Sequence, residues 1–289
     1  MKNITLGLIS GIAASSIWGA MYVVSKSVMA VIPPFSLLLS RLLLGIIPLL
    51  IIASIQKKLM LSKNQFWTLM GVGFVGYGIS LGFQFVGTNL SSASNGSLVT
   101  SATPAFILIF AAPILGEKIT LKSIIALFIA SLGVLAVIDP RTAQLDSSLF
   151  LGNLSLVAAA LTWALYSVLI RKVTRNVDVL TVSLVTFVGG LPTNIAFSAW
   201  EIATQGIGEI TPGVIAGVLF LGFIATALAM VLWNNAFALL DANIASLTFF
   251  AQPIVGTILG VIFLDQLITP LFLFGGLLIT IGLVIASKE

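Results

Sequence analysis

Polar residues along this chain come in bunches, and the stretches between them stay apolar for about twenty residues at a time. Pro33-Pro34 closes the first stretch. "QKKLMLSKNQ" (56–65), "DPRTAQLDSS" (139–148) and "EIATQGIGEITP" (201–212) close others. A bilayer core about 30 Å thick takes about 20 helical residues to cross. The pattern predicts ten spanning helices, over 4–31, 35–55, 66–87, 92–115, 119–138, 152–172, 178–200, 212–236, 242–264 and 268–287. The alternation of an outer-membrane barrel is absent. The expected fold class is all-α integral membrane.

One polar bunch lies inside an expected helix. "SSASNGSLVTSATP" (91–104) has Ser, Thr or Asn at eight of its 14 positions, yet opens the fourth span. Its skeleton returns as "LDANIASLTFFAQP" (240–253). Residues 66–138 align without a gap on 215–287, which places Gly73 on Gly222, Ala93 on Ala242, Ser97 on Ser246 and Pro104 on Pro253. The leading spans align as well, Gly7 on Gly152, Trp18 on Trp163 and Lys26 on Arg171. Each half, 1–140 and 150–289 about a linker at 141–149, holds five spans. Five is odd, so the second half should enter the membrane upside down. Two inverted five-helix repeats are an architecture of secondary transporters, with the site near the midplane between the halves.

Composition narrows the chemistry. Of 289 residues 59% are hydrophobic and 8% charged, with mean hydropathy +1.19, against about a quarter charged in soluble domains. There is no cysteine for a disulfide or thiolate metal site, and no histidine, the commonest metal ligand and neutral-pH proton carrier. No metal or other cofactor is expected. The net charge of +4 reads as topology. With a cytoplasmic N-terminus, Lys2, Lys57, Lys58, Lys63, Lys118, Lys122, Arg171, Lys172, Arg175 and Lys288 are cytoplasmic, and the outer loops keep only Arg141. Both termini are then cytoplasmic in a plasma or inner membrane. The expected partners are a small-molecule substrate and the lipid bilayer, not nucleic acid, with monomer and homodimer both open. "MKNITLGLISGIAASS" imitates a signal peptide, but the apolar run continues to Ile32, so it reads as an uncleaved first span.

All nine acids, Glu117, Asp139, Asp146, Asp178, Glu201, Glu209, Asp241, Asp265 and Glu289, fall at span ends or in loops. A carboxylate at mid-depth, the usual mark of a proton relay, is missing. Polar and aromatic residues inside spans are the candidate cavity lining: Trp18, Tyr22, Gln84, Asn95, Trp163, Tyr166 and Asn234, with Trp233 and Asn235 beside them. Thr103 and Gln252 precede Pro104 and Pro253, which leave helix carbonyls without a donor; the site is expected near these breaks. Packing between halves is the competing role for the tryptophans. Trp67 and Trp200 read as interface anchors. Ala93, Ser97 and Ser101, like Gly256 and Gly260, have the small-xxx-small spacing of close helix contacts.

Lys26 and Arg41 are cations toward the outer ends of the first two spans. They either snorkel to the headgroups or face the crevice and hold a substrate carboxylate or a partner from the other half. The repeat suggests two gating pairs, Lys26–Asp265 at the outer mouth and Glu117–Arg171 at the inner. Glu117 could equally neutralise Lys118 or Lys122.

"IWGAMYVVSK" (17–26) followed by Arg41, the small-residue stretch to Pro104 closing on "LGEKIT" (115–120), then Gly133, and the weaker echo of that block resemble the EamA-type family of the drug/metabolite transporter superfamily. The resemblance covers nearly the whole chain. It implies ten helices in two repeats and transport of small metabolites, often amino acids or their relatives and often outward. One departure is that the first half has Gly116-Glu117 where the second has Asp265-Gln266, an acid shifted by one residue. The expectation is therefore a secondary transporter, not an enzyme, moving a small neutral or zwitterionic metabolite by alternating access. The alternative is a proton-coupled multidrug exporter. A lipid-modifying membrane enzyme would need the clustered His, Asp, Glu or Ser that this chain lacks.

Overall fold

The structure, a computed structural model, describes residues 2–56, 61–116, 120–138, 148–240, 242–265 and 267–286. These residues are helical throughout their regular parts, and no strand occurs among them. In order they form α1 (Lys2–Val28), α2 (Pro34–Ile55), α3 (Lys63–Leu90), α4 (Ala93–Leu115), α5 (Leu121–Ile138), α6 (Ser148–Val173), α7 (Val179–Thr204), α8 (Pro212–Leu239), a short α9 (Ala242–Leu247), α10 (Ala251–Leu264) and α11 (Pro270–Ala286). Seven, α1 to α4 and α6 to α8, are long and apolar enough to cross a membrane; α10 and the Pro270–Gly282 part of α11 are shorter apolar helices.

The polar bunches start and stop these helices. Pro34 opens α2, where its missing N–H costs nothing. Ser62 and Gln65 cap α3 reciprocally: Ser62 Oγ accepts from Gln65 N at 3.2 Å, and Gln65 Oε1 accepts from Ser62 N at 2.9 Å. Ser92 caps α4, and Asp178 caps α7 through the amides of Leu180 and Thr181. Gly116, at φ 77°, ends α4 in the left-handed region.

The spans are less regular than the hydrophobic pattern predicts. α3 winds as a π-helix over Phe74–Ser80, and α8 over Phe220–Leu228. α4 breaks at Ser101-Ala102, just before Pro104, and a 3-10 turn over Thr248–Phe250 precedes Pro253. Hydropathy reports how apolar a stretch is, not how tightly it winds.

Packing joins the first part of the chain to the second at every level. α1 lies against α8 and α10, α2 against α7, α3 against α6 and α7, α4 against α6, and α5 against α11. Glu201, in the last turn of α7, is 3% exposed and caps α2. Its carboxylate accepts from Phe35 N at 3.0 Å, Ser36 N at 2.8 Å and Ser36 Oγ at 3.0 Å, where the positive end of the helix dipole favours an anion. Lipid-facing flanks keep their large apolar residues exposed, and Trp67 and Trp200 are exposed near helix ends, as expected of interface anchors.

Small residues set the closest approaches. A Cβ on Gly73 would meet the Thr186 carbonyl, and one on Gly189 the Met70 carbonyl, so α3 and α7 touch backbone to backbone. A Cβ on Gly256 would lie 2.7 Å from Ser97, which supports the packing role expected of the small-xxx-small stripe. A Cβ on Gly71 would meet nothing within 4 Å beyond its own helix turn, among the described residues. Alanine raises helix propensity by about 1 kcal/mol over glycine, so Gly71→Ala should be neutral or stabilising. Gly189→Ala should destabilise by about 1–3 kcal/mol, since backbone cannot yield as a flexible side chain does. In thermal melts in one detergent, Gly189→Ala should melt lower than the parent chain and Gly71→Ala should not.

Candidate functional site

The break in α4 creates the site's polar framework. Pro104 has no N–H to give the Thr100 carbonyl, and the Thr103 hydroxyl donates there instead, at 2.6 Å. The tightened turn also sends the Ser101 amide to Leu98 O, one residue short of the α-helical register. The Ser97 carbonyl, which that amide would serve in an α-helix, receives Gln252 Nε2 at 3.1 Å. Gln252 precedes Pro253, so the two proline breaks meet.

Thr100 is the hub. Its hydroxyl donates to Gly96 O at 2.6 Å and accepts from Gln252 Nε2 at 2.9 Å and from Tyr22 Oη at 2.7 Å. One donated and two accepted bonds exhaust a hydroxyl. Tyr22 arrives from α1, Gln252 from α10 and Thr100 from α4, so three helices are pinned at one oxygen.

Around this hub lies a narrow enclosed cavity. Trp18, Met21, Tyr22, Gln84 and Leu81 line it from α1 and α3. Thr100 and Thr103 come from α4, Ala159 and Trp163 from α6, Met230 from α8, with Phe249 and Gln252 opposite. It leaves about 10 Å³ for the centre of a water-sized sphere, room for roughly one water. No Asp, Glu, Lys or Arg is among its lining residues.

An aromatic cluster forms one wall. The Trp18 ring lies 5.6 Å from Trp163, edge to face, and 5.2 Å from Trp233; Phe249 packs on both Trp18 and Trp233. Trp18 and Trp163 are repeat-equivalent in sequence but differently bonded. Trp18 Nε1 donates to Ala225 O, inside the π segment of α8, at 3.0 Å. Trp163 Nε1 is buried with no acceptor among the described residues.

Of the residues singled out from sequence, Trp18, Tyr22, Gln84, Thr103, Trp163 and Gln252 come together on this cavity. The others are elsewhere, Trp233 behind Trp18 and Phe249 in the aromatic cluster. Tyr166 stacks on Trp163, with ring centroids 4.5 Å apart, one layer behind the wall. Its hydroxyl pairs with Tyr77 Oη at 2.6 Å and donates to Asn234 Oδ1 at 3.3 Å, and Asn234 Nδ2 donates to Ser183 Oγ at 2.8 Å. Tyr166 and Asn234 therefore belong to a buried network between α3, α6, α7 and α8. Asn95 faces the start of α6, bonded to Asn153 Oδ1 and Ser91 Oγ at 3.2 Å each. Asn235 donates to Ser10 Oγ at 3.1 Å.

The expected charge pairs are arranged differently. Lys26 does not face Asp265. Its ammonium donates to the carbonyls of Thr88, Asn89 and Ser91 at 3.1, 2.6 and 2.9 Å, which uses all three N–H groups on carbonyls left over at the end of α3. Asp265 is exposed, with φ 49°. Arg171 Nη1 donates to Phe237 O, near the end of α8, at 3.0 Å. Its expected partner Glu117 lies outside the described residues. Arg41 does not snorkel: it is 0% exposed. Its Nε donates to Thr226 Oγ1 at 2.7 Å, Nη1 to Met21 Sδ at 3.3 Å and Nη2 to Ala225 O at 3.4 Å, with the guanidinium 4.9 Å from the Phe85 ring centroid.

Sequence reasoning missed Thr100, Met21 and Glu201. Thr100 carried a signal, since it stands four residues before Pro104. Met21 carried none, because a thioether in an apolar helix looks like any other core residue.

A many-helix membrane protein with a buried cavity fed by both parts of its chain has the layout of a transporter. The chain belongs to the EamA-like transporter family, whose model matches it twice, over residues 5–138 and 150–288. It is 27% identical over 290 residues to the uncharacterized transporter YoaV of Bacillus subtilis, covering 98% of this chain and 96% of that one. It is 29% identical over 237 residues to the uncharacterized transporter YyaM of the same organism, covering 80% and 76%. A protein of known crystal structure has the same fold, with TM-score 0.70 over 97% of this chain and 96% of its own at 21% identity.

Thr100→Val leaves Tyr22 Oη and Gln252 Nε2 short of an acceptor in a buried place, and should lower stability by about 1–2 kcal/mol. Thr100→Ser keeps the hydroxyl and should retain most of it. Unfolding titrations in mixed micelles would measure both.

Proposed function

We propose that the chain is a secondary transporter of a small neutral or zwitterionic metabolite, an amino acid or related compound, working by alternating access. In this reading two inverted five-helix halves, 1–140 and 150–289, rock against each other about the cavity in a ten-helix, cell-membrane protein with both termini cytoplasmic. The observation that carries it is the cavity wall. It mixes hydroxyls, amides and indoles from both parts of the chain, and no acid lines it. Such a wall offers hydrogen bonds to a polar solute without a group to load and unload a proton. The narrowness of the cavity supports a cycle in which α1, α4, α6 and α10 must separate on one side to admit substrate. The outward direction comes from the family resemblance alone.

The tryptophan wall gives the second reading its one support, because indole faces attract organic cations. In that reading the chain is a proton-coupled exporter of lipophilic cations.

The two readings separate in proteoliposomes. A panel of labelled amino acids and ethidium would be tested with and without an imposed pH gradient. Zwitterion flux that is unchanged by the gradient, and accelerated by unlabelled solute on the other side, is expected. Ethidium flux that collapses with the gradient would establish the exporter instead.

A further inference from the structure

Arg41 is a cation held inside a membrane protein, fully buried, with no carboxylate against it among the described residues. Buried charges are normally paired, because water is not there to solvate them. The guanidinium has five N–H groups. Only the 2.7 Å bond to Thr226 Oγ1 is short; the 3.4 Å contact to Ala225 O is long, and the third acceptor is a thioether, a weak one.

That thioether belongs to Met21, which lines the cavity. A second donor also points at it: Gln84 Nε2, from α3, lies 4.0 Å from Met21 Sδ. Gln84 lines the cavity too. Two good donors, one of them charged, thus converge on one poor acceptor at the cavity wall. A carboxylate is the acceptor that such a pair fits, since its two oxygens accept from Arg and amide N–H groups with charge assistance. Methionine is unbranched and turns easily about three bonds, so its sulfur can leave without disturbing the helix.

We infer that the Arg41 guanidinium, with the Gln84 amide beside it, anchors the carboxylate of the transported solute, and that the Met21 sulfur occupies the position that carboxylate takes. The inference rests on the transport reading above and narrows it to monocarboxylates and zwitterions whose remaining part suits the apolar and aromatic wall. The same charge works against organic cations, since it would sit beside them at low dielectric.

Matched compounds test it by adding and removing the two charges separately: L-leucine, L-leucinamide, 3-methylbutylamine and 4-methylpentanoate, and the phenylalanine-derived set L-phenylalanine, L-phenylalaninamide, phenethylamine and 3-phenylpropanoate. Binding is read from tryptophan fluorescence of the full chain in nanodiscs, and flux from proteoliposomes. The carboxylate-bearing members should bind at least about tenfold tighter than the amides and amines, the effect of one charge-assisted pair. Arg41→Gln should erase that difference, and Arg175→Gln, at an exposed position, should keep it. Met21→Ala should tighten carboxylates and leave amides and amines unchanged, a gain that a merely structural Arg41 would not produce and that remains readable if Arg41→Gln fails to fold. Equal binding of carboxylates and amides, or a preference that survives Arg41→Gln, would overturn the anchor and leave transport standing. Neither binding nor flux of any of the eight would remove both.

Discussion

A backbone carbonyl that loses its helical donor inside a membrane must find another within the protein, because hydrocarbon offers none. Proline at 104 imposes that condition, and the site is the set of answers to it. The Thr103 hydroxyl serves Thr100 O, and Gln252 crosses from another helix to serve Ser97 O. Tyr22 joins at the Thr100 hydroxyl. Each answer is a polar side chain placed where the helices converge, so the requirement that keeps α4 intact also furnishes the cavity with hydrogen-bonding groups.

Much of this was legible beforehand. Helical residues lie in each of the ten predicted stretches, seven of the helices being long and apolar enough to cross a membrane, and their caps fall on the polar bunches, because length, apolarity and capping chemistry are all local properties. Proline marked the two breaks, and polar and aromatic residues within the spans, two of them beside the prolines, marked six of the cavity's side chains. The failures share a cause. The π segments, the Tyr77–Tyr166–Asn234 network and the Lys26 cap depend on which helix faces which at a given height, and residue spacing along one chain does not carry that. Asp265 and Lys26 stand at helix ends where a pair was plausible, but leftover carbonyls at the end of α3 compete for the ammonium and hold it.

The sequence offset also sharpens what the two parts of the chain do differently. Thr88 and Phe237 stand at aligned positions, and each has its carbonyl held by a cation, Lys26 or Arg171, that are themselves aligned. Trp18 and Trp163 are aligned as well, yet among the described residues only Trp18 has found a carbonyl. The closing caps are thus matched while the groups around the cavity are not. In the alternating-access cycle proposed above, opening to two sides would call for similar ends, and a solute that is not symmetric for an uneven middle.

The π segment Phe74–Ser80 has a consequence for how such chains can diverge. It holds its extra residue within α3 by lengthening the hydrogen-bonded ring. Winding the same residues as an ordinary α-helix, with none removed, would turn everything beyond by about 100°. Leu81 and Gln84 would leave the cavity wall with no change in their identity. The facing of this helix is therefore kept by how its turns are wound, and a single-codon deletion within Phe74–Ser80, which lets the helix close in the ordinary way, would leave Leu81 and Gln84 where they are.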